Sequence, residues 1–420
     1  MEKETLKRAI LDGQEIFSSR QVIPREHSLK WKEIKRLEKV IAVVGPRRAG
    51  KTFFLFQVMN ELGLERLNAV FLDFSEIPLQ DFAAEHFELL FQAYLELFPD
   101  HTPWFFFDEI QEVVSFEKGL KFLLNRGLKI FITGSTSRVF TANLASALRG
   151  KTLTTTVLPL TFREFLRFKE KVVQAPVSRR ELAEMHNLLQ EYLLWGGFPE
   201  VVLVDSPDLK LNLIRSYIDS MLFRDVIERH HIKNAALVES VFLRVLKSFT
   251  KEISVHRWYN DYKSMGLKVS KDTLYQYLGH FEEAQFVYLV ENMLGGSSSQ
   301  KKIYLVDNGL YLRVRGFDED WGKLLENRVF NDLQRGHSRL GFVKGSGWDL
   351  DFVSGSRAVQ VSYELNDQSL RREAEGALRG LELPAVRESL VVVQEPMEPT
   401  ATIAGVQVLP YWRASIEGVL

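Results

Sequence analysis

From Lys39 onward, short apolar runs alternate with helical periods. KVIAVVG, AVFLDF, WFFFDE and LKIFITGS are each continuous and apolar, and each closes on glycine or a polar residue. Such runs suit parallel strands covered on both faces and joined by crossover helices. The N-terminal stretch reads as an amphipathic helix followed by a linker ending near Pro24-Arg25-Glu26. Together these features predict an α/β layered domain over 1–158.

Beyond it the pattern turns helical. Leu182, Met185, Leu189 and Tyr192 mark one face of a helix from Arg179 to Trp195, stopped by Gly196-Gly197 with Pro199 beyond. Helical periodicity resumes from Leu209 to Arg229. KEISVHRWYNDY followed by SKDTLYQYLGHF suggests a helix-turn-helix, with Ser270 as N-cap and Leu274, Tyr277, Leu278 and Phe281 facing a core. Lys271, Tyr275 and Gln276 then point outward, and these types contact phosphates or base edges. GGSSSQ reads as a flexible turn or wing. After it, a helix from Leu324 to Arg335 precedes strand-like GFV, DLDFVSG and RAVQVSY, a further helix, then LVVVQ and GVQVLPY. The expected segments are 1–158, 159–232, 233–300 and 301–420.

Composition narrows the classes. A chain of 420 residues exceeds one ordinary core, so two or three domains are expected. With 45% hydrophobic and 26% charged residues it reads as globular rather than disordered. The 54 basic and 55 acidic side chains nearly cancel, so any nucleic-acid face must be a local patch. The absence of cysteine excludes disulfides and thiolate metal sites. The start lacks the apolar region of a signal peptide, and no run reaches about 18 apolar residues, so no membrane partner and a cytoplasmic location are expected.

Gly45-Pro46-Arg47-Arg48-Ala49-Gly50-Lys51-Thr52 matches G-x-x-x-x-G-K-[ST], with a strand leading in and a helix leading out. Such a loop turns backbone N–H groups around phosphates, assisted by the helix N-terminus. Lys51 would neutralise the β- and γ-phosphates of ATP, and the Thr52 hydroxyl would ligate Mg2+. WFFFDE reads as the second half of the site: Asp108 at a strand end for the magnesium shell, and Glu109 to orient or deprotonate water. The strand Leu128 to Thr133 ends in Gly134-Ser135. Ser135, or secondly Thr133, could sense the γ-phosphate, and Ser135 serves equally well as a helix N-cap. The His230-His231 pair lacks metal-ligand spacing. The aromatic stretches FFLF and WFFF read as core.

VVGPRRAGKT, FFFDEIQEV, FITGS, ALRGK, LPLTFREFL and WGGFPEV occur in the order seen in a family of archaeal and bacterial AAA-type ATPases akin to the STAND NTPases. The resemblance covers most of the chain. It implies a P-loop parallel-sheet ATPase core, a helical lid, a winged helix and a C-terminal α/β domain like the PD-(D/E)XK, or restriction-endonuclease-like, fold. It also implies that Gly197-Phe198-Pro199 matches the family's G-x-P element, which approaches the nucleotide through Pro199. Where the family reads G-R after the sensor strand, this chain has Gly150-Lys151, preceded by Arg149. Arg149 is therefore the candidate arginine finger, because an ammonium cannot replace the planar guanidinium fork. In the last segment Glu326, Asp351, Gln360 and Ser362 occupy the nuclease-like positions, but Gln replaces a carboxylate and Ser replaces the activating lysine.

The reading is an ATP-hydrolysing, Mg2+-dependent protein that couples nucleotide state to domain movement and acts on DNA. Its partners are ATP or ADP, DNA and further copies of itself in a homo-oligomer. Two alternatives stand beside it: a nucleotide-gated DNA-binding switch with slow turnover, and a metal-dependent nuclease.

Overall fold

Each apolar run forms a strand whose alternate side chains enter two different cores. The computed structural model describes all residues except 135–137, 173–177, 296–300, 315–319, 337–338, 364–366, 395–400 and 404–405. The chain divides into two compact units, Met1–Leu158 and Pro159–Leu420.

The first unit runs α1 (Lys3–Ser19), β1 (Val40–Val44), α2 (Lys51–Leu62), β2 (Ala69–Asp73), α3 (His86–Leu97), β3 (Trp104–Asp108), α4 (Phe116–Leu124), β4 (Lys129–Gly134), α5 (Arg138–Ala147) and β5 (Thr152–Thr156). The five strands form one parallel sheet in the order β2-β3-β4-β1-β5. Val40, Ala42 and Val44 of β1, with Phe105 and Phe107 of β3, join Leu6 and Ile10 of α1 and Leu90 of α3 in one core. Ile41 and Val43, with Phe106 and Phe131, join Phe54, Leu55 and Val58 of α2 in the other. This period of two explains why the runs are continuous: both faces are covered. Phe106 and Phe131 stack with centroids 5.0 Å apart, and the aromatic stretches are core material at Phe54, Phe56 and Phe105 to Phe107, whereas Phe53 is exposed. β5, with three threonines at its end, lies at the sheet edge with its side chains half-buried or exposed.

The second unit opens with helices α6 (Phe162–Phe168), α7 (Arg179–Trp195), α8 (Pro199–Leu203) and α9 (Pro207–Met221). Thr161 with Glu164 and Ser178 with Glu181 form capping boxes that start α6 and α7. A π-helical segment, Leu222–Glu228, extends α9. Next come α10 (Ala235–Lys247), β6 (Glu252–Ile253), α11 (Val255–Ser264), α12 (Lys271–Glu283), β7 (Val287–Glu291) and β8 (Lys301–Leu305). The three strands form a sheet ordered β6-β8-β7. Its middle strand begins at Lys301, so this sheet extends past the boundary expected at 300. Most of GGSSSQ, residues 296–300, lies outside the described residues.

The remainder comprises α13 (Trp321–Gly336), β9 (Leu340–Lys344), β10 (Asp349–Ser354), β11 (Arg357–Ser362), α14 (Asp367–Gly380), β12 (Glu388–Val393), β13 (Ala401–Ile403), β14 (Val406–Pro410) and α15 (Tyr411–Glu417). Its six-stranded mixed sheet is ordered β13-β14-β12-β11-β10-β9. No helix of the described residues is long and apolar enough to cross a membrane.

Candidate functional site

The loop between β1 and α2 is built by close approach. A Cβ added to Gly45 would lie 2.0 Å from the carbonyl oxygen of Val157. Gly50, at φ 94° and ψ 28°, occupies the left-handed region that a side chain disfavours, and α2 begins at the next residue. The Lys51 ammonium lies within hydrogen-bond distance of the Gly45 and Pro46 carbonyls, at 3.0 and 3.3 Å, and is buried. Between the glycines, Arg48 is exposed and Arg47 and Ala49 are half-buried and buried respectively.

Arg25, in the expected linker, is part of this architecture. Its guanidinium donates to Ala49 of the loop at 2.9 Å and to Leu158 at 2.6 Å. Gln57 of α2 exchanges hydrogen bonds with the Arg25 backbone at 2.7 and 2.8 Å. Arg25 carried no motif in the sequence; only its burial identifies it.

Strand order assembles the rest. β4 lies between β1 and β3, with Val43 opposite Thr133 and Phe107 opposite Ile132. The ends of all three strands therefore meet. Thr52 donates its hydroxyl hydrogen to Asp108 Oδ2 at 2.6 Å, and Thr133 donates to Asp108 Oδ1. The Thr133 oxygen in turn accepts the Glu109 backbone N–H at 2.9 Å. Glu109 sits at φ 51° and ψ 46°, a left-handed conformation costing roughly 1–2 kcal/mol for a residue with a side chain. Its carboxylate accepts a hydrogen bond from Gln111. Asp73, which closes β2, is the register partner of Asp108 and accepts from the Ser75 amide and hydroxyl.

Burial pushes the Asp108 carboxyl up to about 6, against the two threonine hydrogen bonds that favour the charged form; Glu109 and Asp73 add like-charge repulsion. A cation here would relieve that cost. The donors, a hydroxyl and a buried carboxylate, are hard oxygens of the kind Mg2+ prefers. Thr52 and Asp108 would hold it, and it would neutralise phosphate charge. Asp73 could have been noticed in the sequence, since AVFLD ends as WFFFD does.

Other expected positions divide as follows. Ser135 lies outside the described residues. Arg149 is exposed just beyond α5, with φ 51°. Pro199 belongs to the second unit as the first residue of α8. There the Gly197 amide donates to Asp307 Oδ2 at 2.7 Å, and Asp307 pairs with Arg328 at 3.2 Å, both acid and base fully buried. Arg328 lies 4.1 Å over the Tyr192 ring. On α12, Ser270 caps the helix, Leu274, Tyr277, Leu278 and Phe281 are buried, and Lys271, Tyr275 and Gln276 are exposed.

Glu326 of α13 and Asp351 of β10 come together around a lysine that was not anticipated. Lys302, on β8, lies 3.3 Å from Glu326 and 3.5 Å from Asp351, and Tyr304 donates to Glu326 at 2.7 Å. Gln360 bridges the Asp351 amide and Glu373, at 3.1 and 2.6 Å; Ser362 is buried two residues on. Burial first, and Asp351 second, push Glu326 up to about 7, despite Lys302.

A phosphate-loop pattern at the end of β1, an acidic pair at the end of β3 and the strand order between them are the arrangement of an AAA-type P-loop domain. A model of the AAA domain matches residues 37–166, and one of a domain of unknown function (DUF8612) matches 186–320. The chain belongs to the family of the uncharacterized protein MJ1544 of Methanocaldococcus jannaschii, to which it is 32% identical over 99% of its own length and 96% of the relative's. An uncharacterized protein of Haemophilus influenzae is 27% identical over 84% of this chain and 89% of that one. Among solved structures, a Pyrococcus horikoshii STAND protein with a tetratricopeptide repeat sensor aligns over 76% of this chain and 48% of that chain, at 13% identity and TM-score 0.27. The Aeropyrum pernix ORC1 protein in complex with DNA aligns over 71% and 94%, at 12% identity and TM-score 0.24.

Proposed function

We propose that the protein binds MgATP on Gly45–Thr52 and hydrolyses it, coupling nucleotide state to movement of its other segments. The observation that carries this reading is the chain Thr52–Asp108–Thr133–Glu109, which joins the phosphate loop to an acidic residue at the neighbouring strand end. Phosphoryl transfer needs positioning and charge stabilisation more than covalent chemistry. In this reading Lys51 and the loop amides hold the phosphates, Thr52 and Asp108 hold magnesium, and Glu109 orients and deprotonates water. Arg149, exposed on the surface, is assigned the finger role toward a neighbouring copy in a homo-oligomer. Steady-state phosphate release tests the assignment. Glu109→Gln should bind ATP as the native protein does and lose turnover; undiminished release from that variant would remove Glu109 as the base.

We read the order α10-β6-α11-α12-β7-β8 as a winged helix and the six-stranded sheet as nuclease-like. Exposure of Lys271, Tyr275 and Gln276 on α12 supports a second reading, a nucleotide-gated DNA-binding switch. Binding through phosphates would fall steeply with salt, whereas a flat response would point to a protein partner. ATPase stimulated by DNA, with movement along it, marks a motor; ATP-dependent affinity without movement marks a switch. The partly buried Glu326–Lys302–Asp351 triad supports a structural role for the last segment rather than cleavage, because an ammonium stands where a nuclease would gather cations.

A further inference from the structure

His230 lies in the turn that follows the π-helical extension of α9, and the structure brings it against His280 of α12, fifty residues further along the chain. Spacing within His230-His231 gave no metal pattern, but the fold supplies the missing partners. The His230 and His280 rings stack with centroids 3.6 Å apart and planes at 20°. Glu283, three residues after His280 and so on the same face of α12, brings Oε2 to 3.6 Å from His230 Nε2. One ligand atom from each of the three lies within 4.8 Å of the others.

We propose that His230, His280 and Glu283 form a binding site for a divalent transition metal of the Zn2+ type. Bonds of about 2.0–2.2 Å around a tetrahedral ion place ligand atoms roughly 3.3 Å apart, so occupancy requires the two rings to turn out of their stack until both in-plane lone pairs meet the ion. A separate observation points to a ligand: His230 Nε2 is shielded from solvent and makes no hydrogen bond among the described residues. Shielded ring nitrogens ordinarily find a partner, and the Glu283 oxygen at 3.6 Å is too far to be one. Burial lowers the proton affinity of both rings, which leaves neutral imidazole lone pairs. Arg229 Nε, 4.0 Å from Glu283 Oε1, is the competing cation. Two imidazoles and a carboxylate suit Zn2+ or Co2+ and leave a fourth position for water. Occupancy would tie the turn after the π-helical segment to α12, the helix that presents Lys271, Tyr275 and Gln276. The site is independent of the nucleotide reading.

The test uses the full chain stripped with chelator and titrated with Co2+ alone, then Zn2+ alone. One equivalent should give the visible absorption of four-coordinate Co2+ and be displaced by Zn2+. His280→Ala and Glu283→Gln should each weaken binding at least ~10-fold, while His231→Ala and Asp108→Asn retain it. Zn2+ should raise the thermal midpoint of the native chain and leave that of folded His280→Ala unchanged. Absence of the cobalt band in the native chain, or an undiminished band in both folded ligand variants, would overturn the site.

Discussion

Thr133 spends one hydroxyl on two acidic residues: it donates to the Asp108 carboxylate and accepts the Glu109 amide. Thr133→Val keeps the shape and removes both bonds. A hydrogen bond to a charged group contributes about 1.5–3 kcal/mol, so turnover should fall roughly 10- to 100-fold with a smaller loss of ATP affinity. Separate measurement of kcat and nucleotide Kd checks this; an unchanged kcat would detach Thr133 from the chemistry. The loop, Asp108 and Glu109 were legible in the sequence because a fixed spacing and an apolar strand end identify them. Thr133 ranked second there, since only strand register puts it beside Asp108. Arg25 was invisible, because a linker arginine acquires meaning only when its guanidinium meets the Ala49 carbonyl. Arg25→Ala leaves two carbonyls without a donor, and ATP affinity should fall about 10-fold for a loss near 1.4 kcal/mol; unaltered calorimetric affinity would deny Arg25 this positioning role.

At the scale of elements, strands buried on both faces were easiest to read. β5 was missed because its threonines lie at a sheet edge, and β8 because its two lysines interrupt the apolar run. Losing β8 also hid Lys302, and with it the triad that joins β8, α13 and β10. Lys302→Met should destabilise the second unit by about 1–3 kcal/mol, since it leaves two partly buried carboxylates without their cation. Equilibrium denaturation measures it, and a loss below half that size would mean the pair is already protonated. Glu326 gives a pH dependence of definite sign. Its folded value, about 7, exceeds the ordinary 4.5, so its contribution is fully present at acid pH and is lost as pH rises through the window between them. Denaturation should therefore show more stability at pH 5 than at pH 8, and Glu326→Gln should shrink that difference.

At the scale of the whole molecule, neighbouring strand ends explain why distant motifs form one site. Residues 45–52, 108–109 and 133 converge because β4 lies between β1 and β3, an order that alternating runs alone do not specify. The layered α/β class was legible, since buried parallel strands leave continuous apolar runs. The His230–His280–Glu283 cluster was not, because α10, β6 and α11 lie between His230 and the helix that carries His280 and Glu283, and only the tertiary fold unites them. The central claim is that a triphosphate with its magnesium binds to the main-chain amides of Gly45–Thr52. Calorimetric titration of the native chain with MgATP, alongside Lys51→Ala, measures it directly. Saturable binding of one nucleotide per chain, weakened at least ~10-fold by Lys51→Ala, is predicted from the loss of a buried charge-assisted contact. No heat of binding at millimolar MgATP, or equal affinity in the two proteins, would contradict the account.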